Sequence, residues 1–185
     1  MSISYLENKW ENISREERYF CLILFERIRQ NPKEFVCFLN DKLKTNFDIN
    51  QEWDAGYEVC FYRDYLKSFN KGVKYSDYSQ KRTFDLCLFS EKNIVIIEAK
   101  CQQKFNKKDI ENFIKDKKLI PMILSREIKV DVIGLISSIY IKNLAKYGCN
   151  EIKSFFNNDN LISWLSLYEK YLDTKFMRAD KIYKK

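Results

Sequence analysis

The chain has 185 residues, 45% of them hydrophobic and 16% aromatic, which suits one domain with a substantial core and a globular fold rather than a disordered chain. It contains no histidine, which removes His-based nucleases, Ser-His-Asp hydrolases and zinc hydrolases from consideration. The net charge of +7 is uneven: residues 1–60 carry 8 basic and 11 acidic side chains, whereas residues 100–129 carry 9 and 4, a balance that points to a polyanionic partner.

No apolar stretch approaches the ~20 residues needed to span a bilayer, and the N-terminus lacks a signal-peptide pattern, so a cytoplasmic protein is expected. The six cysteines are widely spaced and read as small core hydrophobes rather than metal ligands.

Ser14 opens the first clear helix. With Glu17 three residues later it fits a capping box, and Phe20, Cys21, Leu24 and Ile28 follow as an apolar stripe at helical spacing. Asn31-Pro32 closes that helix and starts another, with Phe35, Phe38, Leu39 and Leu43 on its buried side. Tyr57, Val59 and Phe61 then alternate with Glu58, Cys60 and Tyr62, as in a half-buried strand. Residues 64–81 read as a turn or short helix followed by a loop.

Two strands come next, Thr83–Phe89 and Asn93–Lys100, and the link Ser90-Glu91-Lys92 is short enough for an antiparallel hairpin. Asn106 caps a helix with the stripe Ile110, Phe113 and Ile114 and lysines on its outer face. Lys129–Ile136 reads as a buried strand continuing toward Tyr140. Leu161–Leu172 reads as a helix with Leu161, Trp164, Leu165, Tyr168 and Leu172 on one side. A basic tail with Arg178, Lys181, Lys184 and Lys185 is expected to fray. The expected order is helix, three strands, helix, strand, with helical additions at both ends.

The chemistry concentrates where the apolar strand Asn93–Ile97 runs into Glu98-Ala99-Lys100, with Asp85 on the strand before. The tripeptide Glu-x-Lys carries little information by itself, because it recurs at Glu7, Glu127 and Glu151. Only at Glu98 does it end an apolar strand preceded by a strand with a mid-strand Asp. Side chains alternate along a strand, so Glu98 and Lys100 share a face, joined by Gln102 if the strand continues. Two such carboxylates repel, and a hard divalent cation such as Mg2+ or Mn2+ relieves the repulsion through oxygen ligands. Lys100 beside it could orient or deprotonate a water and stabilise a charged transition state. The plainer reading is a cross-strand salt bridge from Lys100 to Asp85 or Glu98.

Asp85, twelve intervening residues and Glu98-Ala99-Lys100 together resemble the PD-(D/E)XK nuclease superfamily, with Phe84 where the family's name places Pro. The resemblance spans about residues 14–140. It implies an α/β fold with a restriction-endonuclease-like core, a mixed central sheet flanked by helices; length suits a single domain over residues 1–185, and the element order adds a helical extension from about residue 141. It further implies Mg2+, replaceable by Mn2+, held by Asp85, Glu98 and the backbone carbonyl of Ala99, with Lys100 acting on the water. Many members add a Glu from the first helix, for which Glu16 and Glu17 are the candidates. Glu17-Arg18 before an apolar run is similar to the start of this helix in archaeal Holliday-junction resolvases, and Glu17 lies on the buried stripe; its capping role is the alternative. Gln102 or Gln103 would meet the scissile phosphate, parity favouring Gln102, or would simply be polar residues at a strand end. Lys104, Lys107 and Lys108 could contact the DNA backbone, with a solvated face the plainer role. Tyr57, Tyr62, Tyr75 and Tyr78 could stack on bases, with packing the plainer role.

The function implied is a Mg2+-dependent endonuclease acting on DNA, of restriction or phage-defence type, as a homodimer or within a larger nuclease complex. The alternatives are a non-catalytic nucleic-acid-binding or assembly module on the same fold, a junction resolvase, or an RNA-cutting relative.

Overall fold

The computed structural model describes residues 7–68, 79–147, 150–156 and 159–183. Five strands form one mixed, open sheet in the order β1-β2-β3-β4-β5: β1 Asp54–Val59, β2 Phe84–Phe89, β3 Asn93–Ala99, β4 Lys129–Ile136 and β5 Leu161–Ser163. The first three pair antiparallel, and β4 and β5 add in parallel. The β2–β3 hairpin forms as its short polar link predicts.

Helices cover both faces. One face is packed by α2 (Glu17–Ile28), α3 (Pro32–Leu43), α9 (Trp164–Tyr171) and α10 (Thr174–Ile182) against Leu86, Leu88, Val95, Ile97, Ile133 and Leu135. The other face is packed by α4 (Phe61–Ser68), α5 (Lys107–Leu124), α6 (Ser138–Lys142), α7 (Leu144–Tyr147) and α8 (Asn150–Phe155), against Cys87, Ile94, Ile96, Val130 and Val132. A two-residue alternation assigns each strand residue to one layer, and strands covered on both sides can be apolar throughout, as β3 and β4 nearly are. No helix among the described residues is long and apolar enough to cross a membrane.

The stripes of α2 and α3 are buried as their spacing predicts. The start of α2 is different. Ser14 closes the four-residue helix α1 (Trp10–Ile13), Glu16 takes the N-cap position, and Glu17 is the first helical residue. Ser14 Oγ accepts a hydrogen bond from the Glu16 N–H, and the capping box is not made. A true capping box forms instead at α5, between Asn106 and Asp109. On α5, Ile110 and Phe113 are buried, but Ile114 is exposed because it lies one position round the helix from the stripe.

Three other expectations are corrected. Strand β1 ends at Val59, where Glu58 has a positive φ of 50°, and Phe61 and Tyr62 open α4; aromatic pairs bury equally well on either element. Strand β4 stops at Ile136, because Ser137 caps α6. Leu161–Ser163 is a short strand rather than the start of a helix, so residues beyond 141 extend the sheet as well as adding helices. Within α9, Trp164 and Leu167 take the core positions, Leu165 and Tyr168 are half-buried, and Leu172 is exposed in a left-handed cap.

As far as Ile182, the basic tail is helical. In α10, Phe176, Ala179 and Ile182 pack into the core. Arg178 lies over the Tyr19 and Phe20 rings and donates to the Glu11 carbonyl at 2.6 Å. Lys184 and Lys185 lie outside the described residues.

The buried Asp180 carboxylate accepts from the Ser138 N–H (2.7 Å), Ser138 Oγ (2.6 Å) and the Leu165 N–H (3.1 Å), joining α10 to the ends of β4 and β5. Truncation orphans two backbone donors at helix starts. Asp180→Ala is expected to lower stability by about 3 kcal/mol in urea denaturation.

Candidate active site

The register of the hairpin pairs Leu86 with Ile97, so the next pair outward is Asp85 and Glu98. The charge of Asp85 is felt at Glu98, so the two carboxylates are neighbours at this end of the hairpin. Asp85 Oδ2 accepts from the Ala99 N–H at 2.8 Å, a donor left at the hairpin's open end. Burial pushes the Glu98 carboxyl up to about 8, Asp85 adds to the rise, and the guanidinium of Arg82 offsets it only in part.

Lys100 follows the last residue of β3 and is fixed by its backbone. Its N–H donates to the Leu135 carbonyl at 2.7 Å, and its own carbonyl accepts from Trp164 Nε1 at 3.1 Å. Trp164 is itself fully buried against Phe20 and Phe176. The Lys100 ammonium lies over the Phe105 ring, 5.9 Å from its centroid, and 3.8 Å from Glu17 Oε1. Burial opposes its charge, but Glu17, Asp85 and Glu98 outweigh that and hold its pKa above the ordinary value.

The first turn of α2 brings Glu17 to this end of the sheet. Its Oε2 accepts from the Cys101 N–H at 2.9 Å, which ties the helix start to the chain leaving β3. Burial pushes Glu17 up to about 7; Lys100 lowers it and Asp85 raises it again. Glu16, Glu17, Lys100, Gln102 and Gln103 line a pocket of about 200 Å³. The Gln102 side-chain amide donates to the Arg15 carbonyl at 3.1 Å. Glu16 stays at the exposed rim.

Asp85, Glu98, Lys100 and Glu17 therefore meet at one end of the sheet, drawn from two strands and a helix. The cross-strand salt bridge from Lys100 to Asp85 or Glu98 is not made; Lys100 pairs with Glu17, and Glu98 with Arg82. The other Glu-x-Lys tripeptides lie elsewhere: Lys129 opens β4 and pairs with Asp131, and Glu151 on α8 pairs with Lys107. Lys104 and Lys108 are exposed. Tyr57 donates to the Arg18 carbonyl and stacks on Phe25, and Tyr62 is buried, so both are packing residues. Tyr75 and Tyr78 lie outside the described residues.

Two charged residues at the site have no counterpart in the sequence reading. Arg82 Nη2 donates to Glu98 Oε1 at 2.6 Å, and Arg82 also bonds Asp116 of α5 through Nε and Nη2 at 3.2 and 3.1 Å. The signal was present for Asp116. Three residues after Phe113 and four before Ile120, it is a carboxylate on the apolar stripe of a helix, a position that demands a partner.

Among the described residues, no three carboxylate or thiol groups close around one point as a metal cage would. Each carboxylate is turned to a nearby donor instead: Asp85 to Ala99, Glu17 to Cys101, Glu98 to Arg82. The donor chemistry nonetheless fits a hard divalent cation. All three groups offer carboxylate oxygens, and Glu17 and Glu98 are each raised in part by the charge on Asp85, a surplus that a cation would relieve. No protein-family model, curated protein or solved structure matches the chain.

Proposed function

We propose that this chain is a metal-dependent nuclease of the PD-(D/E)XK type that hydrolyses phosphodiesters in DNA. The observation that carries this reading is the convergence of Asp85, Glu98, Lys100 and Glu17 at one end of the sheet. The element order is compatible with it: helix α2, three antiparallel strands, helix α5 and a parallel fourth strand occur in the sequence the resemblance implies, with α3 and α4 inserted between them.

Asp85, Glu98 and Glu17 would hold Mg2+ or Mn2+, with the Ala99 carbonyl as the family pattern implies. When bound, the cation would activate a water and neutralise charge on the phosphate. The chain's own contribution is positional and electrostatic. Lys100 is an ammonium at neutral pH, so it stabilises negative charge developing on the phosphate and orients the attacking water rather than taking its proton. Trp164 and Leu135 fix the Lys100 backbone, and Phe105 supports the side chain, so little reorganisation is needed as charge develops. Gln102, bonded to Arg15, steadies the pocket wall.

The test is incubation of supercoiled, linear, single-stranded and branched DNA, and of RNA, with Mg2+, Mn2+ or EDTA. Cleavage with either cation and none in EDTA is expected; no cleavage of any substrate overturns the proposal. A second reading, a non-catalytic nucleic-acid-binding module, is favoured by one observation: Glu98 already has a protein counter-ion in Arg82. It predicts binding of the same nucleic acids without cleavage.

A further inference from the structure

Arg82 precedes β2 and is held more firmly than a surface arginine. Its guanidinium lies over the Phe84 ring at 4.9 Å from the centroid and over the Phe113 ring at 5.7 Å. Asp116 accepts from it twice, and the second oxygen of Asp116 accepts from the Tyr62 hydroxyl at 2.5 Å. The chain of contacts thus runs from α4 through α5 to the guanidinium and ends on one oxygen of Glu98.

A buried network of two carboxylates and one guanidinium is costly to assemble, and a hydrophobic trio of similar volume would pack this site with less penalty. Its geometry does something a hydrophobic trio cannot. It pins Oε1 of Glu98, while no hydrogen bond to Oε2 is found among the described residues. A carboxylate with one oxygen pinned has lost most of its rotational freedom, and the other oxygen is the one left to a ligand.

We propose that Arg82 is a positioning residue for Glu98: braced by Asp116, Tyr62 and the two rings, it fixes Oε1 so that Oε2 is presented to a divalent cation. This inference rests on the metal-dependent reading of the site. The planar fork matters as much as the charge, because one guanidinium serves both Glu98 and Asp116. Residues that orient a metal ligand from behind typically contribute 10- to 100-fold in metal affinity.

The test is Mn2+ titration of the full chain, with free Mn2+ followed by its electron paramagnetic resonance signal and folding checked by circular dichroism. Arg82→Met and Arg82→Lys are expected to bind Mn2+ at least about tenfold more weakly than wild type. If the Arg82 charge merely competes with the cation, Arg82→Met binds more tightly, and the inference is overturned. Equal affinity in a folded Arg82→Met overturns it too. Should Arg82→Met fail to fold, Arg82→Lys decides alone: it keeps the charge and loses the fork, and wild-type affinity in it refutes positioning. A wild-type protein that takes up no Mn2+ overturns the metal-dependent reading and this inference with it, an outcome separate from tight binding that ignores Arg82.

Discussion

Lys100→Met is expected to lower DNA cleavage in Mg2+ by about 10²- to 10³-fold while leaving the melting temperature within a few degrees of wild type. The ammonium is the group at stake, since Met keeps most of the aliphatic stem over Phe105 and the backbone contacts to Leu135 and Trp164 do not involve the side chain. Lys100 nonetheless stands against three carboxylates that together hold its charge in place. Removing it takes away the cation paired with Glu17 and, on the proposed function, would leave a phosphate without a fixed positive partner. Asp85→Asn is the companion variant. It retains an oxygen for the Ala99 N–H but loses the charge, so loss of cleavage with an intact fold would separate chemistry from structure. Undiminished cleavage by Lys100→Met would falsify the role given to Lys100.

The second large effect concerns pH. Glu17 and Glu98 are raised to about 7 and about 8, whereas an unfolded chain titrates both near the ordinary 4.5. Between those limits the folded state binds more protons than the unfolded state, so stability falls as pH rises. The favourable contribution is complete below pH 4.5 and is lost as pH climbs through 7 and 8. Asp116 is shifted in the same direction, by burial. The metal-free protein should therefore be more stable at pH 5.5 than at pH 8.5, with a contribution from these carboxyl groups on the order of 5 kcal/mol. Glu98→Gln should remove most of that difference in thermal melts. Added Mn2+ should stabilise the protein at pH 8.5 and do little at pH 5.5, where protons hold the ligands. A flat profile for both proteins would contradict the burial and mutual repulsion assigned to these carboxylates.

The residues of this site differ in how openly the sequence announced them. Asp85, Glu98 and Lys100 were legible because a hairpin is a local structure: a three-residue link and two alternating strands determine who stands opposite whom. Glu17 was legible as part of a helical stripe, but its bond to Cys101 depends on how α2 docks across 84 positions of chain, which no local pattern encodes. Arg82 looked like an ordinary basic residue before a strand, since its value comes from Asp116, 34 positions away. Strand β5 was missed because three residues are too few to show a two-residue period. Helix α10 was missed because its lysines and arginine resemble a solvated tail, although Phe176, Ala179 and Ile182 recur every three residues on its inner side.

The hydrogen bond from Trp164 to the Lys100 carbonyl also has a bearing on the order of events during synthesis. Residues 17, 85, 98 and 100 have all left the ribosome long before residue 164, yet the peptide carrying Lys100 gains one of its two backbone restraints only then. Arg178, which braces the Tyr19–Phe20 corner of α2, arrives later still. Contacts so distant in sequence form slowly, since the loop between them must close first. Until residues 164 and 178 have emerged, a nascent chain thus carries Glu17, Asp85, Glu98 and Lys100 without these restraints, and the site tightens only after both contacts can form.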